Sequence, residues 1–407
     1  MKIIKGGVTA AKGFEAAAAA AKIKYQDRTD MALIYSKAPC EVAGAFTQNI
    51  VKAAPVKWDQ AIVNGGKKVH AVVVNSGIAN ACTGSEGDLY CLKTAEAVEE
   101  SLEVEASGVL LGSTGVIGMQ LPMDRIKEGV KLLAESKNAS VENGTNAAKA
   151  IMTTDTKEKE LAVTIDIKGK TVTVGGMAKG SGMIHPNMCT MLSFVTTDAV
   201  ISKKTLQKAL SEDVKDTYNM ISVDGDTSTN DTVLVIANGE AKNEEIKEDS
   251  EEYKVFLEAL HTINEYLAKK MAGDGEGATA LFEAKVVEAA TKEQAAVIAK
   301  SVVCSNLVKT AIAGHDANWG RILCAMGYSG AGFDPEKVDL SFESNAGFID
   351  IIKNGVAVDY SEEKATQILS EEEITAIISL KEGKAEATAW GCDLTHAYID
   401  INADYRS

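Results

Sequence analysis

One glycine-rich segment of the sequence holds the residue types needed for nucleophilic catalysis. Residues 179–187 form a glycine-rich loop, and residues 190–195 (Thr-Met-Leu-Ser-Phe-Val) predict a buried strand that begins with Thr190. An internal N-terminal nucleophile requires such a pattern, because its Oγ attacks the preceding carbonyl, the peptide breaks, and the freed α-amine then serves as base. That amine has a pKa of about 8 in model peptides. On this pattern alone, an ordinary threonine at the start of a buried strand is the favoured interpretation.

Other segments resemble known motifs without meeting their requirements. Gly273-Asp-Gly-Glu-Gly277 has the look of a dinucleotide loop, but it follows a predicted helix and holds two carboxylates where a pyrophosphate would bind. Residues 224–231 begin like an EF-hand calcium loop, yet the glycine at its sixth position and the glutamate at its twelfth are missing. No two histidines have the helical spacing of zinc ligands, and no Gly-x-Ser-x-Gly motif occurs. The sequence therefore predicts neither a bound metal nor Ser-His-Asp chemistry.

The composition argues against several classes of partner. The 407 residues carry a net charge of −16, and the pI is about 4.9, so neither a nucleic acid nor an anionic membrane surface is expected to bind. No apolar run reaches the roughly 18 residues of a membrane span. The seven cysteines form no Cys-x-x-Cys pair, which is typical of reduced thiols in a cytoplasmic protein.

The elements that must position the candidate nucleophile alternate between β-branched runs and helical stretches. Strands are predicted at 70–74, 161–167, 171–174, 232–236, 348–352 and 356–358, with a hairpin turn at Asn354-Gly355. Helices are predicted at 16–21, 89–104, 123–136, 205–212, 251–272 and 291–313. Another helix is expected to begin near Ser370, three residues before Glu373, as in a capping box. Hairpins together with helices indicate a mixed α/β fold with largely antiparallel sheets.

Several blocks of the sequence resemble, in the same order, those of one enzyme family. Residues 179–192, followed by 196–199 (Thr-Thr-Asp-Ala), closely resemble the signature of the ornithine acetyltransferase family, also called glutamate N-acetyltransferase. The other similar segments are 42–46, 51–56, 222–231, 307–311, 318–322 and 327–330. The resemblance covers nearly the whole chain, and it favours Thr190 as the nucleophile over the ordinary strand residue.

The resemblance implies a layered α/β sandwich of largely antiparallel sheets with flanking helices, related to self-processing aminopeptidases. It places this acyltransferase domain at 1–285 and a smaller C-terminal α/β domain at 286–407. It also implies that the chain cuts itself between Cys189 and Thr190. The α chain, 1–189, and the β chain, 190–407, would then remain together as a cytoplasmic heterotetramer of two α and two β chains.

The activity implied by the resemblance is transfer of an acetyl group from N2-acetylornithine to glutamate, in arginine biosynthesis, through an acyl-Thr190 intermediate. Thr114 and Gly115 would form the oxyanion hole; without the resemblance, residues 112–115 predict only a tight turn after a strand. The substrate-binding residues carried over from the family are Thr153, Lys179, Thr190, Glu276, Asn402 and Ser407. Lys179 would pair with a substrate carboxylate, and Glu276 would face the amine side. No cofactor is expected, and use of acetyl-CoA as a second acetyl donor stays open.

Departures from the family pattern leave two other functions to weigh. Cys189 stands where the family usually has alanine before the cut, and Ser407 replaces a frequent terminal threonine but keeps a hydroxyl. One alternative is a related self-processing aminopeptidase or amidohydrolase, in which water takes the acyl group. The other is an acidic binding protein with an inactive site, although Thr190, Thr114 and Gly115 are intact.

Overall fold

The protein is represented by a computed structural model, which describes residues 1–185 and 191–403. The described residues form two compact units. Unit 1 contains those within Met1–Gly180, Asn187–Tyr218 and Thr227–Leu267, and unit 2 contains those within Ser181–Pro186, Asn219–Asp226 and Ala268–Ser407. The two units thus alternate along the chain, whereas the expected domains, 1–285 and 286–407, are continuous. The assignment of the acyltransferase function to the first of those domains stays a prediction.

The strands and helices of the described residues are distributed over the whole chain. The strands are β1 (Lys2–Ile4), β2 (Phe14–Ala19), β3 (Met31–Phe46), β4 (Val69–Ile78), β5 (Val109–Val116), β6 (Lys159–Ile167), β7 (Lys170–Lys179), β8 (Leu192–Thr197), β9 (Ile221–Ser222), β10 (Thr232–Ala237), β11 (Leu281–Ala289), β12 (Asp339–Ser344), β13 (Gly347–Lys353), β14 (Val356–Ala357), β15 (Glu373–Ser379) and β16 (Ala385–Cys392). The helices are α1 (Ala54–Gly65), α2 (Gly84–Leu102), α3 (Met123–Ser136), α4 (Val141–Ala150), α5 (Lys203–Asp213), α6 (Glu251–Gly273), α7 (Lys292–Cys304), α8 (Asn306–Ala313), α9 (Trp319–Gly327), α10 (Glu362–Leu369) and α11 (His396–Ala403).

Unit 1 is built on nine strands that form two groups joined by the long strand β3. The strand order is β1-β6-β7-β8-β10-β3-β4-β5, and β2 also pairs with β3. The first part of β3, Met31–Tyr35, pairs with β4, and its last part, Glu41–Phe46, pairs with β10. The pairs β4–β5 and β8–β10 are parallel, and the other pairs described in this unit are antiparallel. The prediction of a mixed, largely antiparallel fold is confirmed.

The two faces of β4 show how the layers of unit 1 are stacked. Val72 and Val74 belong to a buried core that also contains Phe194 of β8, from the other group of strands. Val73 belongs to a second buried core, together with Ala95 of α2. Because side chains alternate between the two faces of a strand, β4 lies between an apolar core shared with the second group of strands and a layer of helices. The expected layered sandwich with flanking helices is confirmed.

The alanine run near the N-terminus is a strand, so the predicted helix at 16–21 is wrong. β2 pairs antiparallel with β3 along its whole length. Ala16 and Ala17 are both fully buried, and helices α3 and α4 pack on this strand. The helix propensity of alanine is a weak preference, less than about 1 kcal/mol per residue. Strand pairing and burial outweigh it here, and the small side chains leave room for helices at close range.

Unit 2 contains a seven-stranded sheet with the order β14-β13-β12-β15-β11-β16-β9. The pairs β11–β15 and β9–β16 are parallel, and the remaining described pairs are antiparallel. Helix α7 packs on β11 and β16. The predicted helix 291–313 is interrupted at Ser305, which ends α7 and caps α8. Among the described residues no single helix is long and apolar enough to cross a membrane. Helices α7 and α8 together have the length and composition of a membrane span, but they are bent by 60° relative to each other.

Two local predictions in unit 2 have opposite outcomes. The hairpin at Asn354-Gly355 is confirmed, since it joins the paired strands β13 and β14. The helix start near Ser370 is wrong, because α10 ends there and its N-cap is Ser361. The residues that follow form β15, in which Ile374 and Ile378 are buried at alternate positions of one face.

Candidate active site

Three of the predicted site residues, Cys189, Thr190 and Ser407, lie outside the described residues. The structure describes the other six, with Thr114, Gly115, Thr153 and Lys179 in unit 1 and Glu276 and Asn402 in unit 2. The chain resumes after Thr190 at Met191, whose carbonyl accepts a hydrogen bond from Thr232 N at 2.8 Å. Leu192 then pairs with Lys179 of β7 and with β10. The strand that follows Thr190 in the sequence is therefore paired on both sides. Lys179 is in register with Leu192, which is two residues after Thr190 in the sequence.

Thr114 and Gly115 lie near the end of β5, where its pairing with β4 is irregular. Gly115 has a φ of +127°, a conformation that residues with a side chain rarely adopt. A Cβ atom on Gly115 would overlap the backbone of its partner Gly77. Glycine is therefore required at position 115. Both Thr114 and Gly115 are half-buried.

Amide and hydroxyl side chains fix the ends of β4 and β5. Ser113 Oγ donates to Asn75 Oδ1 at 2.6 Å, and Asn75 Nδ2 donates to Ile78 O at 2.8 Å. Asn230 Nδ2 donates to Ser113 O at 2.8 Å and to Ala79 O at 2.6 Å. Leaving such buried groups unpaired costs about 1–3 kcal/mol each, so the network holds the segment next to Thr114 rigidly. The sequence pattern did not single out these side chains; polar residues in otherwise apolar strand ends are the signal that marks them.

A buried carboxylate joins two of the predicted substrate-binding residues. Asp155 lies between α4 and β6, and its side chain is fully buried. Its Oδ2 accepts the backbone N–H of Thr153 at 3.1 Å and lies 3.6 Å from Lys179 Nζ. Its Oδ1 accepts hydrogen bonds from Lys159 Nζ at 2.8 Å and from Gly180 N at 2.7 Å. The structure thus brings Thr153 and Lys179 to one carboxylate that the sequence pattern did not single out.

Two ammonium groups determine the charge of this cluster. Burial alone raises the pKa of an aspartate, but Lys179 and Lys159 outweigh that effect and hold the pKa of Asp155 well below its usual range. The side chain of Lys179 is 8% exposed, so it is not a solvated surface lysine. Its ammonium is placed where it can bind an anionic group such as a carboxylate as a point charge.

Glu276 and Asn402 are in direct contact within unit 2. Asn402 Nδ2 donates to Glu276 Oε2 at 2.7 Å, and Glu276 N donates to Ser181 O at 3.0 Å. Glu276 is 7% exposed, and a Cβ atom on Gly182 would overlap its carboxyl group. Within the described ranges the carboxylate of Glu276 forms no ion pair. It is therefore a buried negative charge able to receive a cationic group.

Helix α11, which carries Asn402, is held against the glycine-rich turn at 273–277. Thr395 Oγ1 donates to Gly277 O at 2.6 Å. Gly277 has a φ of +71°, and a Cβ atom there would lie 2.6 Å from Tyr398 N. Gly277 therefore serves close packing against helix α11, a structural reason for this glycine that involves no dinucleotide.

Asp224 fixes the segment that precedes the predicted cleavage site. Its Oδ2 accepts the N–H of Met183 at 2.6 Å, and its Oδ1 accepts the N–H of Ile184 at 2.8 Å. Asp224, the first residue of the segment 224–231 that begins like a calcium loop, thus binds backbone of its own unit. In residues 1–185 and 191–403 no three His, Cys, Asp or Glu side chains are grouped so that they could hold a metal ion.

His185, the last described residue before the predicted cut, lies in a small polar cluster. Its Nδ1 is 3.1 Å from Ser222 Oγ and 3.5 Å from Cys304 Sγ. Burial, together with the positive charge of Lys300, lowers the pKa of His185 to about 4. The imidazole is therefore neutral at neutral pH and is held as a hydrogen-bonding group instead of a charge.

Comparison with known proteins decides the family. The sequence profile of the ArgJ family matches residues 15–407. The chain belongs to the ArgJ family. The arginine biosynthesis bifunctional protein ArgJ of Thermotoga neapolitana is 50% identical to it over 397 residues, which cover 97% of this chain and 99% of that protein. The resemblance drawn from the sequence blocks is thereby confirmed, and with it an enzyme family of arginine biosynthesis.

Two solved chains of ArgJ relatives each match about half of this chain. A chain of the arginine biosynthesis bifunctional protein ArgJ from Bacillus halodurans is 46% identical and covers 52% of this chain and 97% of itself, with a TM-score of 0.50. A chain of the ornithine acetyltransferase of Mycobacterium tuberculosis, solved with ornithine, is 42% identical and covers 46% of this chain and 98% of itself. Its TM-score of 0.42 supports no comparison of the two folds. The Bacillus halodurans structure shows that at least one half of the present fold is that of ArgJ.

Proposed function

We propose that this ArgJ chain transfers an acetyl group from N2-acetylornithine to glutamate and so acts as a glutamate N-acetyltransferase. The observation that carries the proposal is the match of the ArgJ family to residues 15–407, with 50% identity to a bifunctional ArgJ protein over nearly the whole chain. The buried positions of Lys179 and Glu276 support their proposed roles in binding the small-molecule substrates.

The proposed reaction has two half-reactions with one acyl-enzyme. Thr190 Oγ attacks the acetyl carbonyl of N2-acetylornithine while the α-amine of Thr190 accepts its proton. The C–N bond breaks, the proton passes to the departing nitrogen, and ornithine leaves an acetyl ester on Oγ. The amine of glutamate then attacks this ester, and Thr190 Oγ regains a proton as N-acetylglutamate departs.

Thr114 and Gly115 are proposed as the donors that face the developing oxyanion. The φ of Gly115 and the lack of room for a Cβ atom require glycine at this position, directly after the hydroxyl-bearing Thr114. One such donor contributes about 3 kcal/mol to transition-state stabilisation in other acyl-transfer enzymes. The hydrogen bonds from Asn230 and Ser113 support this role, because a donor must be held in place before charge develops.

The proposed substrate contacts are those carried over from the family, and the charges of the described residues support two of them. Lys179 is proposed to bind a substrate carboxylate, and Thr153, which shares Asp155 with it, to line the same part of the pocket. Glu276 is proposed to bind the side-chain amine of acetylornithine, with Asn402 holding its carboxylate in place. Ser407 is proposed as a further contact from the end of the chain.

Self-cleavage between Cys189 and Thr190 is part of the proposal, as is assembly into a heterotetramer of two α chains and two β chains. Self-cleavage is supported by the length of the solved Bacillus halodurans chain. The match covers 97% of that chain but only 52% of this one. The β chain left by the predicted cut, 190–407, is also about half of the 407 residues. No cofactor is needed for the proposed chemistry, and acetyl-CoA is proposed as a second acetyl donor because the relative is bifunctional. The six described cysteines are free thiols, which supports a cytoplasmic location.

The test is to incubate the purified protein with N2-acetylornithine and glutamate and to measure N-acetylglutamate by mass spectrometry. Formation of N-acetylglutamate in wild type and its loss in Thr190→Ala are expected. Release of free acetate without N-acetylglutamate would instead identify the hydrolase alternative. Denaturing gels of the same samples are expected to show fragments 1–189 and 190–407 in wild type and an intact chain in Thr190→Ala. A parallel assay with acetyl-CoA and no acetylornithine decides whether acetyl-CoA is a donor.

A further inference from the structure

The cluster around Asp155 is more elaborate than a single ion pair requires. One fully buried carboxylate accepts two backbone N–H groups, from Thr153 and Gly180, and faces two lysine ammonium groups. The two backbone groups belong to separate segments, one that follows α4 and one that follows β7. Asp155 thus connects Thr153 to the strand that carries Lys179.

The two lysines use Asp155 differently. Lys159 Nζ donates a hydrogen bond to Oδ1 at 2.8 Å. Lys179 Nζ lies 3.6 Å from Oδ2, which is beyond hydrogen-bond distance. In the described parts of the chain Lys179 Nζ makes no hydrogen bond at all, although its side chain is only 8% exposed. Asp155 therefore holds the Lys179 ammonium by charge while leaving its three N–H donors for another acceptor.

A buried ammonium without hydrogen bonds is costly unless a ligand supplies the acceptors. A carboxylate offers two acceptor oxygens and a compensating charge, so it fits this place better than a neutral group. The chemical class that the cluster selects is thus a carboxylate, and the position of the lysine depends on Asp155.

We propose that Asp155 is a positioning residue for substrate recognition, which sets the Lys179 ammonium and the Thr153 backbone for the carboxylate of the acetyl donor. The inference rests on the proposed acetyl transfer and adds to it the residue that orients its carboxylate site. Asp155 itself touches no reacting atom. Its loss is expected to affect donors that carry a carboxylate and to spare donors that lack one.

The test compares Asp155→Asn with wild type on two acetyl donors, N2-acetylornithine and N-acetylputrescine, which is the same molecule without the carboxylate. Rates are normalised to the fraction of cleaved chain measured on denaturing gels. For N2-acetylornithine, kcat/KM is expected to fall by about 30-fold, carried mainly by KM, as for a charge-assisted contact of about 2 kcal/mol. For N-acetylputrescine the change is expected to stay within about 3-fold. Equal losses on both donors would overturn the proposal.

A double-mutant cycle tests whether Asp155 acts through Lys179 with N2-acetylornithine as the only donor. If Asp155 acts through Lys179, adding Asp155→Asn to Lys179→Met is expected to lower kcat/KM by less than about 3-fold. Losses that multiply would overturn the proposal. Should Asp155→Asn fail to fold, Asp155→Glu carries the test, because it keeps the charge but displaces it by one methylene group. A loss of about 5-fold confined to the carboxylate-bearing donor is then expected, and an unchanged value contradicts the proposal.

Asp198→Asn is the matched control. Asp198 is fully buried in the same unit and accepts two backbone N–H groups, from Thr173 at 2.7 Å and Lys12 at 3.1 Å. If Asp155 had only a structural role, both variants would have lower melting temperatures and neither would change the ratio of kcat/KM between the two donors. The proposal expects that ratio to change in Asp155→Asn alone. A wild-type protein that makes no N-acetylglutamate would refute the proposed function, whereas an active wild type with an unaltered Asp155→Asn would refute this inference alone.

Discussion

Asp155 and Glu276 are both buried carboxylates beside predicted substrate-binding residues, but their surroundings differ in charge. Asp155 faces two ammonium groups and accepts two backbone N–H groups. Glu276 is bound through its carboxylate by the neutral amide of Asn402, and no cation pairs with it in the described parts of the chain. The charge of Asp155 is already balanced by lysines of the protein, whereas the charge of Glu276 is available to a cationic ligand.

The difference indicates two roles for the same functional group. A compensated carboxylate orients the cation beside it, and that cation is the group proposed to bind substrate. An uncompensated buried carboxylate is costly by itself, and a cationic ligand removes that cost. Under the proposed function, the region of Asp155 and Lys179 receives a carboxylate and the region of Glu276 receives an amine.

The largest expected effect comes from neutralising Glu276. In Glu276→Gln, kcat/KM for N2-acetylornithine is expected to fall by about 50-fold, because a charge-assisted contact to the amine is replaced by a neutral one. N2-acetylnorvaline lacks that amine, and its kcat/KM is expected to change by less than about 3-fold. Steady-state kinetics with both donors measure the split, and a similar loss on N2-acetylnorvaline would show that Glu276 does not bind the amine.

A smaller effect is expected when the Glu276 carboxylate is displaced with its charge intact. Gly182→Ala places a Cβ atom where that carboxyl group lies, so kcat/KM for N2-acetylornithine is expected to fall by about 10-fold. Gly327→Ala is the control in the same unit, since a Cβ atom there meets no neighbour within 4 Å. Equal activities of the two variants would mean that Glu276 adapts without loss.

Removal of the neutral partner of Glu276 is expected to matter less. Asn402→Ala deletes the hydrogen bond to Glu276 and a second one to Tyr398 O from an exposed side chain. A loss of about 3-fold in kcat/KM is expected, mainly through a higher KM. Asn402→Asp is the informative companion, because it adds a like charge next to Glu276 and is expected to be worse than alanine. If Asn402→Asp were more active than Asn402→Ala, Glu276 would not be acting through an uncompensated negative charge.

The smallest expected effect is on stability at low pH, and it concerns Asp155. Its pKa is held well below the usual value by Lys179 and Lys159 against the effect of burial. The stability that its ionisation contributes is therefore present above the pKa of the unfolded chain, about 3.9, and is lost as pH falls below that value. Melting curves at pH 6, 4.5 and 3.5 are expected to show the gap between wild type and Asp155→Asn narrowing with acid. A gap that stays constant contradicts the depressed pKa.

Two long amphipathic helices were predictable, whereas the conformations of the segments at 16–21 and near Ser370 were not. The predicted helices 123–136 and 251–272 correspond to α3 and α6 almost residue for residue, because one apolar face repeats over several turns. The alanines of β2 carry no such face, and their partner strand β3 decides their conformation. Near Ser370, the spacing to Glu373 suits a capping box, but the alternating apolar residues of β15 are the stronger signal.

The site shows the same limit in its chemistry. Family blocks pointed to Lys179 and Glu276 by residue type, yet not to Asp155, which contacts Lys179 across 24 positions of sequence. Asn230 likewise reaches Ser113 from the far part of unit 1. Hydrogen-bond partners of this kind depend on strand order and register, which a single sequence does not determine.

The short stretch at 181–185 has a consequence for the proposed cleaved protein. These residues belong to unit 2, where Asp224 and Val223 bind the backbone of Met183 and Ile184. After a cut at Thr190 they would form the tail of the α chain, while nearly all the rest of unit 2 would come from the β chain. Each fragment would then lack part of its own folded unit, and β8 and β10 of the β chain would still pair with β7 and β3 of the α chain in unit 1. The α and β chains are therefore expected to co-purify and to separate only when both units unfold.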